Sequence, residues 1–117
     1  MFVGAALAAI LFFPFASVAD TMDEEINYLL NAVGESACTF IRNGKGHSAR
    51  DARAHLNSKR RRNADLFDSA EVFIEKIASK SSMSGQPYLI RCKGKDQQTA
   101  AEWFTNQLAQ YRQTIRD

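Results

Sequence analysis

Cys38-Thr39-Phe40-Ile41-Arg42-Asn43-Gly44 is a short β-type run that stops on a turn signal, and Pro87-Tyr88-Leu89-Ile90-Arg91-Cys92 is a second such run. Thr39, Phe40, Ile41, Tyr88 and Ile90 suit a pleated, half-buried surface, and Pro87 stands at the edge of its strand, as its missing amide demands. Two isolated strands need each other. An antiparallel register that sets Cys38 opposite Cys92 also sets Phe40 opposite Ile90 and Arg42 opposite Tyr88. Cys, Phe, Ile, Tyr and Cys then share one face. A disulfide between directly opposed strand residues needs a non-hydrogen-bonded pair, where side chains approach most closely.

Helical patterns flank these runs. Asp23-Glu24-Glu25 place negative charge where a helix N-terminus favours it, and Ile26, Leu29, Leu30, Val33 and Ala37 recur at helical spacing, predicting a first helix over 23–36. Asn43-Gly44-Lys45-Gly46 is a strong turn signal. Ser48 with Asp51 resembles a capping box opening a second helix over roughly 48–62. Its apolar face is thin (Ala49, Ala52, Leu56), which puts it on the surface. Asp68-Ser69 caps a third helix over about 69–80, whose Ala70, Phe73, Ile74, Ile77 and Ala78 make the cleanest apolar stripe in the chain. Ser79 to Gly85 reads as a polar loop and Gly94 as a strand break. A long last helix runs from Gln97 to Arg116 through Ala100, Phe104, Leu108, Tyr111 and Ile115. The predicted fold is therefore α+β: a two-stranded antiparallel ribbon packed among about four helices, in the order α-β-α-α-β-α.

The N-terminus carries a different signal. From Phe2 to Phe15 the chain is almost wholly apolar, followed by Ala16-Ser17-Val18-Ala19 and the acidic Asp20. Such a run is short for a bilayer span but suits the apolar core of a signal peptide, with small residues at Ser17 and Ala19 before a cut. No Lys or Arg precedes it, so Met1 is open to being an internal start. Residues 1–19 are read as a signal peptide and 20–117 as a single mature domain, with an uncleaved membrane anchor as the alternative. The expected location is exported, periplasmic or secreted, with no membrane span after cleavage. An oxidising compartment favours pairing the two cysteines, Cys38 with Cys92, rather than leaving two buried thiols. The chain has 117 residues, 45% hydrophobic and 24% charged, with a formal net charge of +2. That make-up belongs to an ordinary globular protein and not to a disordered one.

Charge is uneven. Residues 42–62 hold Arg42, Lys45, Arg50, Arg53, Lys59, Arg60, Arg61 and Arg62 against Asp51. A basic run raises nucleic-acid binding, but export argues against that partner. The remaining readings are a solvated helix end, where cations meet the dipole, and a surface for an anionic envelope component. His47, Asp51 and His55, at i, i+4 and i+8, could line one helix face as metal ligands, yet no further His or free Cys completes a site; capping or packing roles are favoured and no metal is assigned. Ser81-Ser82-Met83-Ser84-Gly85 offers hydroxyls, and a Ser/His hydrolase with His55 as base and Ser82 or Ser84 as nucleophile is the enzymatic alternative. Glu71, Glu75 and Glu102 sit on polar helix faces. There is no phosphate loop, dinucleotide fingerprint or CxxC, and no cofactor is expected.

Four motifs in order carry a resemblance: Phe40-Ile41-Arg42-Asn43-Gly44, Ala52-x-x-His55-Leu56-x-x-Lys59, Ala70-Glu71-x-Phe73-Ile74 and Ser81-Ser82-x-Ser84-Gly85-x-Pro87-Tyr88. Over roughly residues 24–112 the chain resembles the YfeK-like family of small exported bacterial proteins, a domain of unknown function. The resemblance implies an envelope location and a single domain, and no activity.

The ribbon register adds a geometric expectation. Arg42-Asn43-Gly44 leaves one strand where Ser84-Gly85-x-Pro87-Tyr88 enters the other, with the second helix alongside. Arg42, Asn43, His55, Lys59, Ser82, Ser84 and Tyr88 are therefore expected to converge, with Arg42 and Lys59 as exposed charges. Turn formation and capping would explain the same residues structurally. The functional reading is a non-enzymatic envelope binding or accessory module that recognises an anionic group or another envelope protein; the alternatives are the small hydrolase and a structural or inhibitor protein.

Overall fold

The computed structural model describes Gly4 and residues 18–116. The segment read as a signal peptide lies, but for Gly4, Val18 and Ala19, outside the described residues. Helix α1 (Val18–Glu35) is followed by strands β1 (Thr39–Arg42) and β2 (Lys45–His47) and by helix α2 (Ala49–Arg62). A 3₁₀ turn (Ala64–Leu66) leads to α3 (Ala70–Phe73), which continues as a π-helical turn over Ile74–Ala78. Strands β3 (Leu89–Arg91) and β4 (Gln98–Thr99) and helix α4 (Ala100–Arg116) complete the domain.

The fold is α+β, but the ribbon is not two-stranded. It is a four-stranded antiparallel sheet in the order β2-β1-β3-β4. The centre keeps the expected register: Thr39 pairs with Arg91, Phe40 with Ile90 and Ile41 with Leu89. Cys38 and Cys92, just beyond this ladder, are joined in a disulfide with their Cα atoms 4.3 Å apart. That separation is what a non-hydrogen-bonded pair provides. Cys38, Phe40, Tyr88 and Ile90 are all buried, whereas Ile41 and Leu89 on the other face are half-buried.

Both outer strands arise where the sequence reads as turn or helix. Asn43 (φ 51°) and Gly44 (φ 76°) both adopt left-handed backbone, and Arg42 pairs with Lys45 across this two-residue loop. Two consecutive positive φ angles give the twist that returns one strand along another, so Lys45-Gly46-His47 pairs back despite lacking β-type side chains. At the other edge, Gln98–Thr99 pairs with Leu89 and Ile90, and the Ala100 amide donates to the Tyr88 carbonyl. Thr99 ends this strand by capping α4: its hydroxyl accepts the Glu102 amide at 3.2 Å. The last helix thus starts at Ala100 and not at Gln97.

The helices cover the Phe40/Ile90 face. α1 presents Ile26, Leu29, Leu30 and Val33, α4 presents Trp103, Phe104 and Leu108, and α3 with its π turn presents Phe73, Ile74 and Ile77 to one core. Ser48 and Ser69 act as N-caps, accepting the Asp51 and Val72 amides. α1 begins five residues ahead of the expected start, so Asp23, Glu24 and Glu25 lie within it. Glu25 is buried there and receives a forked pair of hydrogen bonds from Arg112, which also reaches Glu71 at 2.6 Å. One guanidinium therefore links α1, α3 and α4. No helix among the described residues is long and apolar enough to cross a membrane.

The disulfide closes a loop of 54 residues in sequence separation, which removes freedom from the unfolded chain. Cys92→Ser is expected to lower unfolding free energy by about 2–4 kcal/mol, read from denaturant melts with and without reductant.

Candidate functional site

α2 decides the site. Its stripe Ala52, Leu56, Lys59 continues at i+4 and i+3 onto the core face, so Lys59 falls where an apolar residue is expected and is only 3% exposed. The expectation that Lys59 is an exposed charge is corrected. Its ammonium donates to the Ile77 carbonyl (2.9 Å), the Lys80 carbonyl (3.0 Å) and the Tyr88 hydroxyl (3.1 Å). An ammonium has three N–H bonds, and all three are used. Two of the acceptors lie at the end of the α3 helix, where carbonyls lack intrahelical partners and a cation meets the negative end of the dipole. The group has no donor left for an outside ligand.

A chain of hydrogen bonds leads from there to the surface. His55, half-buried one turn before Lys59, has Nε2 3.2 Å from the Tyr88 hydroxyl and Nδ1 2.7 Å from Arg42 Nη1. A guanidinium only donates, so Nδ1 accepts, and the neutral ring carries its proton on Nε2 and donates to Tyr88. Burial, then the charges of Arg42 and Lys59, push the imidazole down to about 4. Burial, then Arg42 and Arg62, pushes Lys59 down to about 8, and burial raises the Tyr88 phenol. At neutral pH the order is Arg42 cation, neutral His55, Tyr88 and Lys59 cation. Arg60, the next residue along α2 after Lys59, instead pairs with Asp23.

Asn43, Ser81 and Ser84 form a separate clasp. The Ser84 hydroxyl donates to Asn43 Oδ1 at 2.6 Å, and the Asn43 amide reaches Ser81 Oγ at 3.5 Å. The clasp ties the β1–β2 turn to the Ser81–Gly85 loop, which places both at one end of the sheet. Ser82 is exposed and makes no hydrogen bond among the described residues, so it stands apart from both groups. His55 contacts Arg42 and Tyr88, while the loop serines contact Asn43 and each other; the Ser–His pair of a hydrolase is not formed between Ser82 or Ser84 and His55.

Beside Arg42 lies a hollow of about 220 Å³ lined by Phe40, Arg42, His47, Asp51, Ala52 and His55. Among the described residues His47, Asp51 and His55 do not form a group that could hold a metal ion. Ser81, Phe40 and Ala52 are neighbours that sequence reasoning did not assign to the site. The i+3 step from Leu56 to Lys59 was the available signal for its burial.

Removing the Lys59 amine takes the donor from two helix-end carbonyls and leaves the buried Tyr88 hydroxyl with His55 alone. Lys59→Met is expected to destabilise by about 2–4 kcal/mol, measured by urea unfolding. His55 produces a pH effect of opposite origin. The unfolded chain protonates this residue below 6.5 and the folded one only near 4, so stability falls as pH drops through that window. His55→Gln is expected to flatten this slope in urea midpoints measured between those two pH values.

The profile of a family described as "Family of unknown function (DUF5329)" matches residues 20–112. The chain is 40% identical over 88 residues to a Salmonella typhimurium protein named "Uncharacterized protein YfeK", covering 74% of this chain and 73% of that one. No solved structure matches it. Over nearly the whole described domain, with its four-stranded sheet and buried Lys59, the chain belongs to this family of unknown function, which bears out the YfeK-like resemblance of the four motifs.

Proposed function

We propose that this protein is an exported, non-enzymatic binding module that recognises an anionic group through Arg42. The observation that carries the reading is a charge imbalance. Arg60 and Arg112 each sit against carboxylates, whereas Arg42 and Lys59 form no ion pair among the described residues. Between them stands a neutral imidazole. Arg42 spends one N–H on His55 and lines the hollow, while the Lys59 charge, fixed behind Tyr88, adds to the local potential. Partly buried, uncompensated positive charge favours an incoming phosphate, sulfate or carboxylate. Asp51, which also lines the hollow, disfavours a large or highly charged anion.

The role divides between the two cations. Arg42 contacts the ligand, and Lys59 holds the fold beneath it. The Ser17-x-Ala19 pattern after an apolar run, together with the Cys38–Cys92 bond, supports export, where the partner is an anionic envelope component or an acidic envelope protein.

Inorganic phosphate titrated into the protein at low salt is expected to shift the His55 and Arg42 NMR signals saturably, with affinity falling as salt rises. Arg42→Gln should weaken this binding about tenfold or more while leaving the melting temperature within a few degrees. Unchanged phosphate binding in Arg42→Gln overturns the reading. Intact mass of the exported protein should begin at Asp20; a species that retains residues 1–19 in the membrane fraction refutes export by cleavage.

A further inference from the structure

Between α1 and α4 lies a groove of about 490 Å³ that shares no lining residue with the hollow beside Arg42. Its wall on α1 is built from Tyr28, Asn31 and Glu35, which recur at i, i+3 and i+7 and so share one face. Its wall on α4 is built from Trp103 and Gln107, one turn apart. We infer that this groove is a carbohydrate-binding site, distinct from the cationic hollow.

Trp103 is the strongest pointer. It is the single tryptophan of the chain and is 8% exposed, packed edge-on against Phe104 with ring centroids 5.1 Å apart. A buried indole normally finds a partner for its N–H. Here that N–H makes no hydrogen bond among the described residues, yet no side-chain nitrogen or oxygen is sealed from solvent without a partner. The donor therefore keeps access to solvent, and Trp103 is one of the residues that line the groove. Next to it the Asn31 and Gln107 amides, the Glu35 carboxylate and the Tyr28 hydroxyl are likewise unspent among the described residues. Tyr28 is held flat by stacking on Tyr111 at 4.5 Å, so one aromatic wall is rigid before any ligand arrives.

The chemistry selects the ligand. Side-chain amides present a donor and an acceptor together, which matches adjacent hydroxyl groups or an acetamido group on a sugar ring. Tyr28, half-buried at the groove, offers aromatic surface to its C–H groups. No Lys or Arg lines the groove, and Glu35 disfavours an anion. A neutral, polyhydroxylated ring fits this set better than a phosphate, a lipid or a peptide acid.

Since Trp103 is the sole tryptophan, its emission reads the groove directly. Titration of the mature protein with N,N′-diacetylchitobiose, cellobiose and maltose is expected to give a saturable change in tryptophan emission with at least one of them. Asn31→Ala with Gln107→Ala, at an exposed and a half-buried position that make no side-chain hydrogen bond among the described residues, should weaken that affinity about tenfold or more with the melting temperature nearly unchanged. Trp103→Phe, followed by NMR, should weaken it similarly by removing the N–H while keeping an aromatic ring. Three results overturn the site: no saturable response to any of the three sugars, equal affinity in the double variant, or an equal emission change with inorganic phosphate. Arg42→Gln should leave the sugar response intact, which separates this site from the anion-binding reading.

Discussion

Phe40 facing Ile90 across the central strand pair is the constraint on which the remaining structure depends. That register sends one set of side chains (Cys38, Phe40, Tyr88 and Ile90) into the core, and a slip of one residue would turn every one of them outward. The disulfide pins one end of the pair. At the other end Arg42 and Tyr88 emerge side by side, and α2, which follows the β1–β2 hairpin after a single capping serine, lays His55 and Lys59 against them. The cationic chain exists because strand register and helix phase meet at one place.

Lys59 then shows how a charge becomes part of a core. Burial of an ammonium with no carboxylate beside it is unfavourable, and three well-placed acceptors offset that penalty without neutralising the charge. The outcome is a fixed positive field behind Tyr88. Glu25 represents the other solution: its burial is matched directly by the Arg112 fork. One domain thus contains a compensated buried charge that binds helices together and an uncompensated one that biases its surroundings.

Most of the framework was legible in the residues. Helical periodicity and two serine caps rest on local rules, the strand register on the pairing of two cysteines far apart in sequence, and all reappear in the structure. The differences fall at two short edge strands with no apolar pattern of their own and at residues whose partners lie far along the chain. β2 has no apolar pattern and exists through the Asn43-Gly44 backbone: the dipeptide reads as a turn, and the pairing of Lys45-Gly46-His47 follows from the twist of that turn and not from the strand's own residues. β4 was absorbed into α4, although Thr99-x-x-Glu102 marks the cap that divides them. The residue type of Lys59 points to solvent, while its spacing from Leu56 places it inside. The serines split likewise: Ser81 and Ser84 are drawn in by Asn43, a contact across about forty residues that no local pattern announces, and Ser82 is not.

The π-helical turn at Ile74–Ala78 has a consequence for how this chain tolerates change in length. A π turn holds more residues than an α turn, so it acts as one extra residue taken up within a continuous helix. Each residue rotates a helix by about 100°. The surplus residue therefore sets the azimuth at which the chain leaves the helix, and with it the direction in which the carbonyls of Ile77 and Lys80 point. Deleting one residue there would restore a regular helix and preserve composition and hydrophobicity almost unchanged, yet turn both acceptors away from Lys59. Chains with the same apolar stripe but a different residue count between Ser69 and Tyr88 would keep the outline of this fold and lose its buried ammonium.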